Sequence, residues 1–353
     1  MTDAAVVGRL LDEYHERRVD PAQIRLLAGS EHQARVSYLI TLPDGTKQVI
    51  RAFRADKPVP GRRQPAADEP VADWLMGRAR TLALLAEAAF PAPRPVRTRT
   101  GELIGVAGAW LTWATSFSPG PVAVPTLGQL RQIGAALGHL HLVAAVPGVV
   151  RIGDGPPGLA PAHPAVAVPA SLARLDRVTG AVPAERQPMH AQVRAVLDEV
   201  AVAAGTTPET IVHGDVWARN AVQSSPSAVT LVGWEGGGLG PAVLDLGNAL
   251  MECHRDAALP DGQPWRSGIT PSPERIAALA AGYGRVRTPS AAELDLLPAA
   301  VAFATAVCGS VLLELELTSD VSSEVLDARL AWLQNRLSAA AAVAGIARDC
   351  FTG

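Results

Sequence analysis

Asp215 and Asn220, five residues apart, are the side chains of this sequence best placed to do chemistry. They lie in the run His213-Gly214-Asp215-Val216-Trp217-Ala218-Arg219-Asn220, between the apolar pairs Ile211-Val212 and Ala221-Val222. That pattern reads as a polar loop held by two short strands. A carboxylate on such a loop can take the proton of a substrate hydroxyl. An asparagine five residues later can hold a magnesium ion on nucleotide phosphates, and the chemistry such a pair would serve is phosphoryl transfer. His-Gly-Asp alone is no more than a turn; the spacing, the flanking strands and the strand-rich start of the chain set this one apart.

The elements that must position the loop follow from periodicity. Residues 4–18 carry Val6, Leu10, Leu11 and Tyr14 at helical spacing. Strands are expected over 24–27, over 35–42 with Val36, Tyr38 and Ile40 on one face, and over 48–54, the last two joined by the turn Pro43-Asp44-Gly45-Thr46. A Pro/Arg-rich loop (57–70) precedes an amphipathic helix over 71–88, which Pro91-Ala92-Pro93 ends. Strands near 103–106 and 110–117 complete a small sheet, and Ser118-Pro119-Gly120-Pro121 reads as a hinge. Beyond it the spacing predicts helices over 127–144, 171–178 and 187–203, an irregular stretch over 147–168, and three or four helices between 274 and 347.

Composition narrows the class. A chain of 353 residues with 48% hydrophobic residues and a net charge of −3 is long enough for two cores and has no basic stripe for nucleic acid. No unbroken apolar run reaches the length of a membrane span, and Met1-Thr2-Asp3 does not open a signal peptide, so no membrane partner is expected. Cys253, Cys308 and Cys350 are too scattered for a disulfide framework or a zinc site, which makes the cytoplasm the expected location. Lys47 and Lys57 are the only lysines.

Downstream of the loop come Leu231-Val232-Gly233-Trp234-Glu235 and Gly240-Pro241-Ala242-Val243-Leu244-Asp245-Leu246. With the loop, these segments resemble the catalytic region of the aminoglycoside phosphotransferase family, relatives of choline kinases and distant cousins of protein kinases. The resemblance covers most of the chain from residue 24 to about 250, and the C-terminal helices match by type only. It implies an α+β, two-lobed protein kinase-like fold. Residues 1–117 would be a nucleotide-binding lobe with a small antiparallel sheet and one helix; residues 118–353 would be a larger helical lobe with the catalytic loop and substrate region. It also implies ATP and Mg2+ as cofactors, and transfer of the γ-phosphoryl group to a hydroxyl of a small molecule, with serine or threonine of a peptide as another acceptor. By this resemblance Asp215 is the catalytic base and Asn220 a metal ligand. His213 is a structural loop residue, Asp245 braces the loop, and Ser118 to Gly120 form the hinge. Gly29 and Ser30 sit where a phosphate-covering loop belongs, and Arg51 stands where kinases place a phosphate-binding lysine. Val49 shares its strand face, as an adenine contact should.

Three positions depart from the pattern: Gly233, Ala79 and the Arg51 already named. Gly233 replaces an aspartate that bridges the metal to the phosphates, and glycine supplies no ligand. Glu235 reaches the metal only if Gly236-Gly237-Gly238 lets its loop swing, since neighbours two apart on a strand share a face. Twelve residues before Pro91, where a glutamate should orient the basic residue, stands Ala79, with Asp73 and Glu69 nearby. Losing one electrostatic element costs a rate factor on the order of 10²–10³, so a slow kinase is one expectation. A kinase-like partner protein that binds nucleotide, metabolite or peptide without turnover is the other. His139 and His141 face different sides of a helix, which excludes joint metal binding and favours packing for His141. Glu314, Glu316, Asp320 and Glu324 either line a cationic-substrate pocket or form a solvated helix end.

Overall fold

Val36, Tyr38 and Ile40 do share a face, and what covers it is the N-terminal helix. The computed structural model describes residues 3–15, 20–29, 35–54, 71–143, 164–204, 206–255, 269–318 and 323–353. Cα packing divides the chain into two units, one ending at Pro119 and the other starting at Gly120.

The first unit runs α1 (Asp3–Asp12), β1 (Ile24–Gly29), β2 (Arg35–Thr41), β3 (Lys47–Arg54), α2 (Val71–Glu87), β4 (Pro95–Val96), β5 (Gly105–Ala107) and β6 (Trp110–Ser116). The strands form one antiparallel sheet in the order β1-β2-β3-β6-β4, with β5 paired to β6. One face, built from Val36, Tyr38, Ile40, Ile50, Ala52, Trp110 and Ala114, packs against Leu10, Leu11 and Tyr14. The helix expected to reach residue 18 ends at Asp12, and the Glu13 carbonyl accepts the Arg99 N–H instead of continuing the helical ladder. The other sheet face is covered as well. Phe53 meets Trp74 of α2 edge-on with ring centroids 5.4 Å apart, and Ser37 and Leu39 are buried beside it. β2 is therefore buried on both faces, where simple alternation would leave one wet.

The second unit holds α3 (Leu127–Leu140), α4 (Pro164–Val178), α5 (Gln187–Ala204), β7 (Glu209–Val212), β8 (Ala221–Ser225), β9 (Ala228–Leu231), β10 (Gly238–Pro241), α6 (Ala242–Glu252), α7 (Pro273–Gly284), α8 (Ala291–Thr318) and α9 (Ser323–Thr352). α4 starts earlier than expected and tolerates Pro169, and α8 tolerates Pro298. Both prolines lie inside long, packed helices, whose burial outweighs a local penalty of about 3 kcal/mol. α8 is long and apolar enough to cross a membrane by length and composition, but 72% of that window is buried. It packs on α4, α5, α6 and α9 and is the core helix of this unit. α3 and α7 approach until backbone meets backbone: a Cβ on Gly134 would lie 2.1 Å from the Leu279 carbonyl oxygen, and one on Gly282 would lie 2.0 Å from that of Arg131. All of α6 is buried, and its first turn carries Asp245.

Candidate active site

Two short antiparallel pairs, β7 with β10 and β8 with β9, carry the His213–Asn220 loop and the segment facing it. The loop leaves β7 at Val212 and enters β8 at Ala221 after a 3₁₀ turn over Ala218–Asn220. Its far end is pinned from the start of the unit, where Ala123 N–H bonds the Ala221 carbonyl (2.8 Å) and Gln223 N–H bonds that of Pro121 (3.0 Å). Gly214, at φ +79°, lies so close to the Gly236 carbonyl that a Cβ would come within 2.6 Å of its oxygen. Glycine is required there on both counts.

Beneath the loop, Asp245 accepts the backbone N–H groups of His213 (2.7 Å, Oδ2) and Gly214 (2.9 Å, Oδ1). Its Oδ2 also receives His141 Nε2 at 3.2 Å. A consistent set of donors runs outward: Arg287 donates to the Tyr283 hydroxyl (2.8 Å), Tyr283 donates to His141 Nδ1 (2.8 Å), and Glu293 holds Arg287 at 2.7 Å. Burial alone would raise the Asp245 carboxyl, but the hydrogen bonds it accepts from His141 and from the His213 backbone hold it below the usual carboxylate range. Its place in the first turn of α6 adds the favourable helix dipole.

His213 is fixed by the same logic. Its Nε2 donates to the Val232 carbonyl (2.8 Å), and its Nδ1 accepts the Asp215 N–H (3.2 Å). Only the neutral ring with the proton on Nε2 satisfies both. Burial pushes its pKa down, in the same sense. The ring lies 4.6 Å from that of Trp234, whose Nε1 donates to the Leu231 carbonyl (2.8 Å). His213 is thus a structural residue of the loop.

Asp215 is half-buried. Asn220 Nδ2 donates to both its backbone oxygen and its Oδ2, each at 2.8 Å. Its pKa is pushed up to about 7, first by burial and then by the negative charge of Glu252, with Glu235 adding to the rise. The Asn220 hydrogen bond and the charge of Arg255 oppose it. Glu252, two helical turns beyond Asp245 on α6, is itself buried and ionised. Arg336 and Arg255 (3.3 Å) hold it in that state against the cost of burial. The Arg255 guanidinium stacks 4.1 Å from the centroid of Trp217, within the same loop as Asp215.

The facing segment differs from the strand expected. Gly233 is left-handed (φ +80°, ψ +46°), and Trp234–Gly236 form a 3₁₀ turn, so residues 233 and 235 do not share a strand face. The glycine run is used in packing: Gly236 abuts Gly214, a Cβ on Gly237 would lie 2.8 Å from the Trp234 ring, and Gly238 pairs with Val212 in β10. Glu235 is buried, and its charge is felt by both Asp215 and His213. Among the described residues no group of three or more His, Cys, Asp or Glu side chains converges to hold a metal ion. With Gly233 contributing no oxygen, the residues present do not fit a site in which a carboxylate at 233 and Asn220 share the cation.

The sequence profile of the phosphotransferase enzyme family matches residues 38–294, which span both the sheet and this loop. The chain belongs to that family. No curated protein sequence matches it. Solved structures similar to it include amicoumacin kinase hAmiN in complex with AMP-PNP, Ca2+ and Ami (14% sequence identity, TM-score 0.66, covering 96% of this chain and 94% of that one). Spectinomycin phosphotransferase APH(9)-Ia, in complex with ADP and spectinomycin, is similar at 14% identity and TM-score 0.57, over 96% and 97% of the two chains. Plasmodium vivax ethanolamine kinase is similar at 12% identity and TM-score 0.56, over 92% and 84%. The α+β kinase-like fold read from the sequence is the fold observed.

As a phosphotransferase, the chain places its remaining candidates as follows. In the first unit, Arg51 is half-buried on the sheet face that also carries Ser37, Val49, Phe53, Trp113 and Thr115, as the register of β2, β3 and β6 requires. Its guanidinium donates to Thr115 Oγ1 (3.3 Å) and lies 5.5 Å from the centroid of Trp113. Val49 is buried on that face, and Gly29 ends β1, while Ser30 and Glu69 lie outside the described residues. Ala79 is fully buried in α2, and Asp73 falls in the first turn of that helix. In the second unit, His141 is buried and His139 exposed. Glu314 is neither solvated nor open to a cationic ligand, because Arg177 (2.8 Å) and Arg174 (3.9 Å) already pair with it. Arg186 pairs with Glu316 (3.2 Å) and Asp327. Glu324 is exposed, and Asp320 lies outside the described residues.

The sequence reading missed Glu252, Arg255, Arg336 and Tyr283. A signal existed for Glu252, because positions seven apart on a helix return to one face and Asp245 was already singled out. Arg336, from α9, had none.

Proposed function

We propose that the chain is an ATP-dependent phosphotransferase that moves the γ-phosphoryl group to a hydroxyl of a small molecule. The donor would be ATP supplied as its magnesium complex, with the phosphates themselves as the main source of metal ligands. Ionised Asp215 takes the proton of the acceptor hydroxyl as its oxygen bonds to the γ-phosphorus; the bond from that phosphorus to the β–γ bridging oxygen breaks, and ADP leaves with the electron pair. Asn220 orients the carboxylate. Arg51 takes the part of the phosphate-binding lysine, with bidentate geometry in place of a point charge. Gly29 and Ser30 belong to the covering loop and Val49 contacts adenine. Residues up to 117 serve the nucleotide, and those from 118 serve the acceptor. The arginines paired with Glu314 and Glu316 argue against these carboxylates recognising a polycationic acceptor. Unpaired cysteines at 253, 308 and 350 support a reducing, cytoplasmic setting.

The observation that carries this reading is the Asp215 carboxyl, bonded to Asn220 on a loop that Asp245 pins at two successive N–H groups. Its test is ATP titration with and without magnesium, followed by a screen of hydroxyl acceptors for phosphate transfer. Transfer that disappears in Asp215→Ala supports it, and no nucleotide binding at any magnesium concentration sinks it. A second reading, binding without turnover, is favoured by one observation, the missing carboxylate at Gly233. It would be supported by tight nucleotide binding with no transfer to any acceptor.

A further inference from the structure

Position 233 is not a vacancy. A Cβ built on Gly233 would lie 2.7 Å from Asn220 Oδ1, 2.9 Å from its Cγ and 3.1 Å from its Nδ2, closer than van der Waals contact permits. Normally the end of a side chain would step aside. This one is held at several points: Nδ2 donates twice to Asp215, at 2.8 Å each time. The Asn220 backbone is fixed as well, its N–H bonded to Trp217 O (2.9 Å) and its carbonyl accepting Val232 N–H (2.8 Å). Moving the carboxamide away from residue 233 would therefore mean withdrawing it from the base.

We infer that Gly233 and Asn220 are an interlocked pair, in which the Asn220 carboxamide fills the volume a side chain at 233 would need and thereby clamps Asp215. This makes Asn220 first a positioning residue, acting through Asp215, and makes glycine at 233 a requirement of that arrangement. The inference rests on the proposed phosphotransferase reading only in naming Asp215 the base that is clamped. The consequence is specific: Gly233→Asp does not restore a metal ligand while Asn220 keeps its place.

The test is a double-mutant cycle on the full chain, comparing wild type, Gly233→Ala, Asn220→Ala and the double variant by thermal unfolding. The left-handed backbone strain of an alanine at 233 is common to both backgrounds, so the cycle isolates the clash between Cβ and carboxamide. Gly233→Ala is expected to lower the unfolding midpoint by a few degrees when Asn220 is present and by clearly less when it is absent. Equal losses in both backgrounds overturn the interlock. A second measurement uses a metal probe: Mn2+ binding in the presence of AMP-PNP, read by electron paramagnetic resonance. Gly233→Asp should leave the Mn2+ affinity unchanged or weaker, and tightening of about tenfold or more with Asn220 intact overturns the inference. Neither readout needs turnover. A wild type that binds nucleotide and transfers nothing would sink the kinase reading and leave the unfolding cycle as it stands.

Discussion

Asp245 and Asp215 are carboxyls of one unit, set against one loop, and their surroundings drive them in opposite directions. Asp245 has two backbone N–H donors and an imidazole aimed at it and stays ionised although buried. Asp215 has one carboxamide bonded to its carboxylate, two carboxylates raising its pKa, and only the charge of Arg255 to set against them. The difference is one of supply. Hydrogen bonds to the charged form outweigh burial at the first site and fail to at the second. The brace is built to be inert, whereas Asp215, the proposed base, is left close to its titration point, where proton transfer is most easily reversed.

The largest effect that would test this contrast is loss of the base. Asp215→Ala should lower phosphate transfer by on the order of 10²–10⁴, with nucleotide binding retained and the unfolding midpoint hardly moved. A variant that transfers at the wild-type rate would remove Asp215 from the mechanism. Next comes Asp245→Ala, which strands the N–H groups of His213 and Gly214 together with His141. We expect a loss of about 3–5 kcal/mol in chemical denaturation. A loss within the range of an ordinary surface substitution would break the comparison outright.

The pH dependences should have opposite signs. Activity should rise with pH through a limb centred near about 7, the pKa of Asp215, because the ionised form is the base. A limb in the ordinary carboxylate range would show that the burial and charges described here do not govern it. For stability, the raised Asp215 pKa is an asset that is complete below its unfolded pKa of about 3.9 and is lost as pH rises toward the folded value. The depressed Asp245 pKa works the other way, supporting the fold above its unfolded pKa and ceasing to do so as pH falls through its lower folded value. The smallest effect belongs to Glu252→Gln. Removing that negative charge should shift the activity limb to lower pH by less than about 1 unit. A shift to higher pH would mean that releasing Arg255 and Arg336 matters in some way other than through charge at Asp215.

Local patterns carried much of this into the sequence. The loop and the strands around it follow from spacing, because each depends on residues near in the chain, whereas the bracing role of Asp245 followed only from the family resemblance. The geometry of Gly233 did not follow: a strand was expected where a left-handed residue leads into a 3₁₀ turn. The close approach to Asn220, thirteen residues earlier, is likewise something no periodicity encodes. The fate of Glu314 was equally hidden, because its arginines come from α4. α8 carried too little amphipathic pattern to show which of its faces meets which neighbour, being apolar nearly all round.

The backbone contact between α3 and α7 bears on how this site can change over time. Gly282 stands next to Tyr283, and Gly134 lies two turns before His141, so the two glycines set the gap that the Tyr283–His141 hydrogen bond spans. A methyl group added at either position would push the helices apart, and the displacement would arrive at Asp245 and the loop above it. Two glycines remote from Asp215 in the chain thus act as the gauge blocks of the His213–Asn220 loop. Substitutions on the outer faces of α3 and α7 leave that gap as it is, whereas any that add bulk at Gly134 or Gly282 alter it.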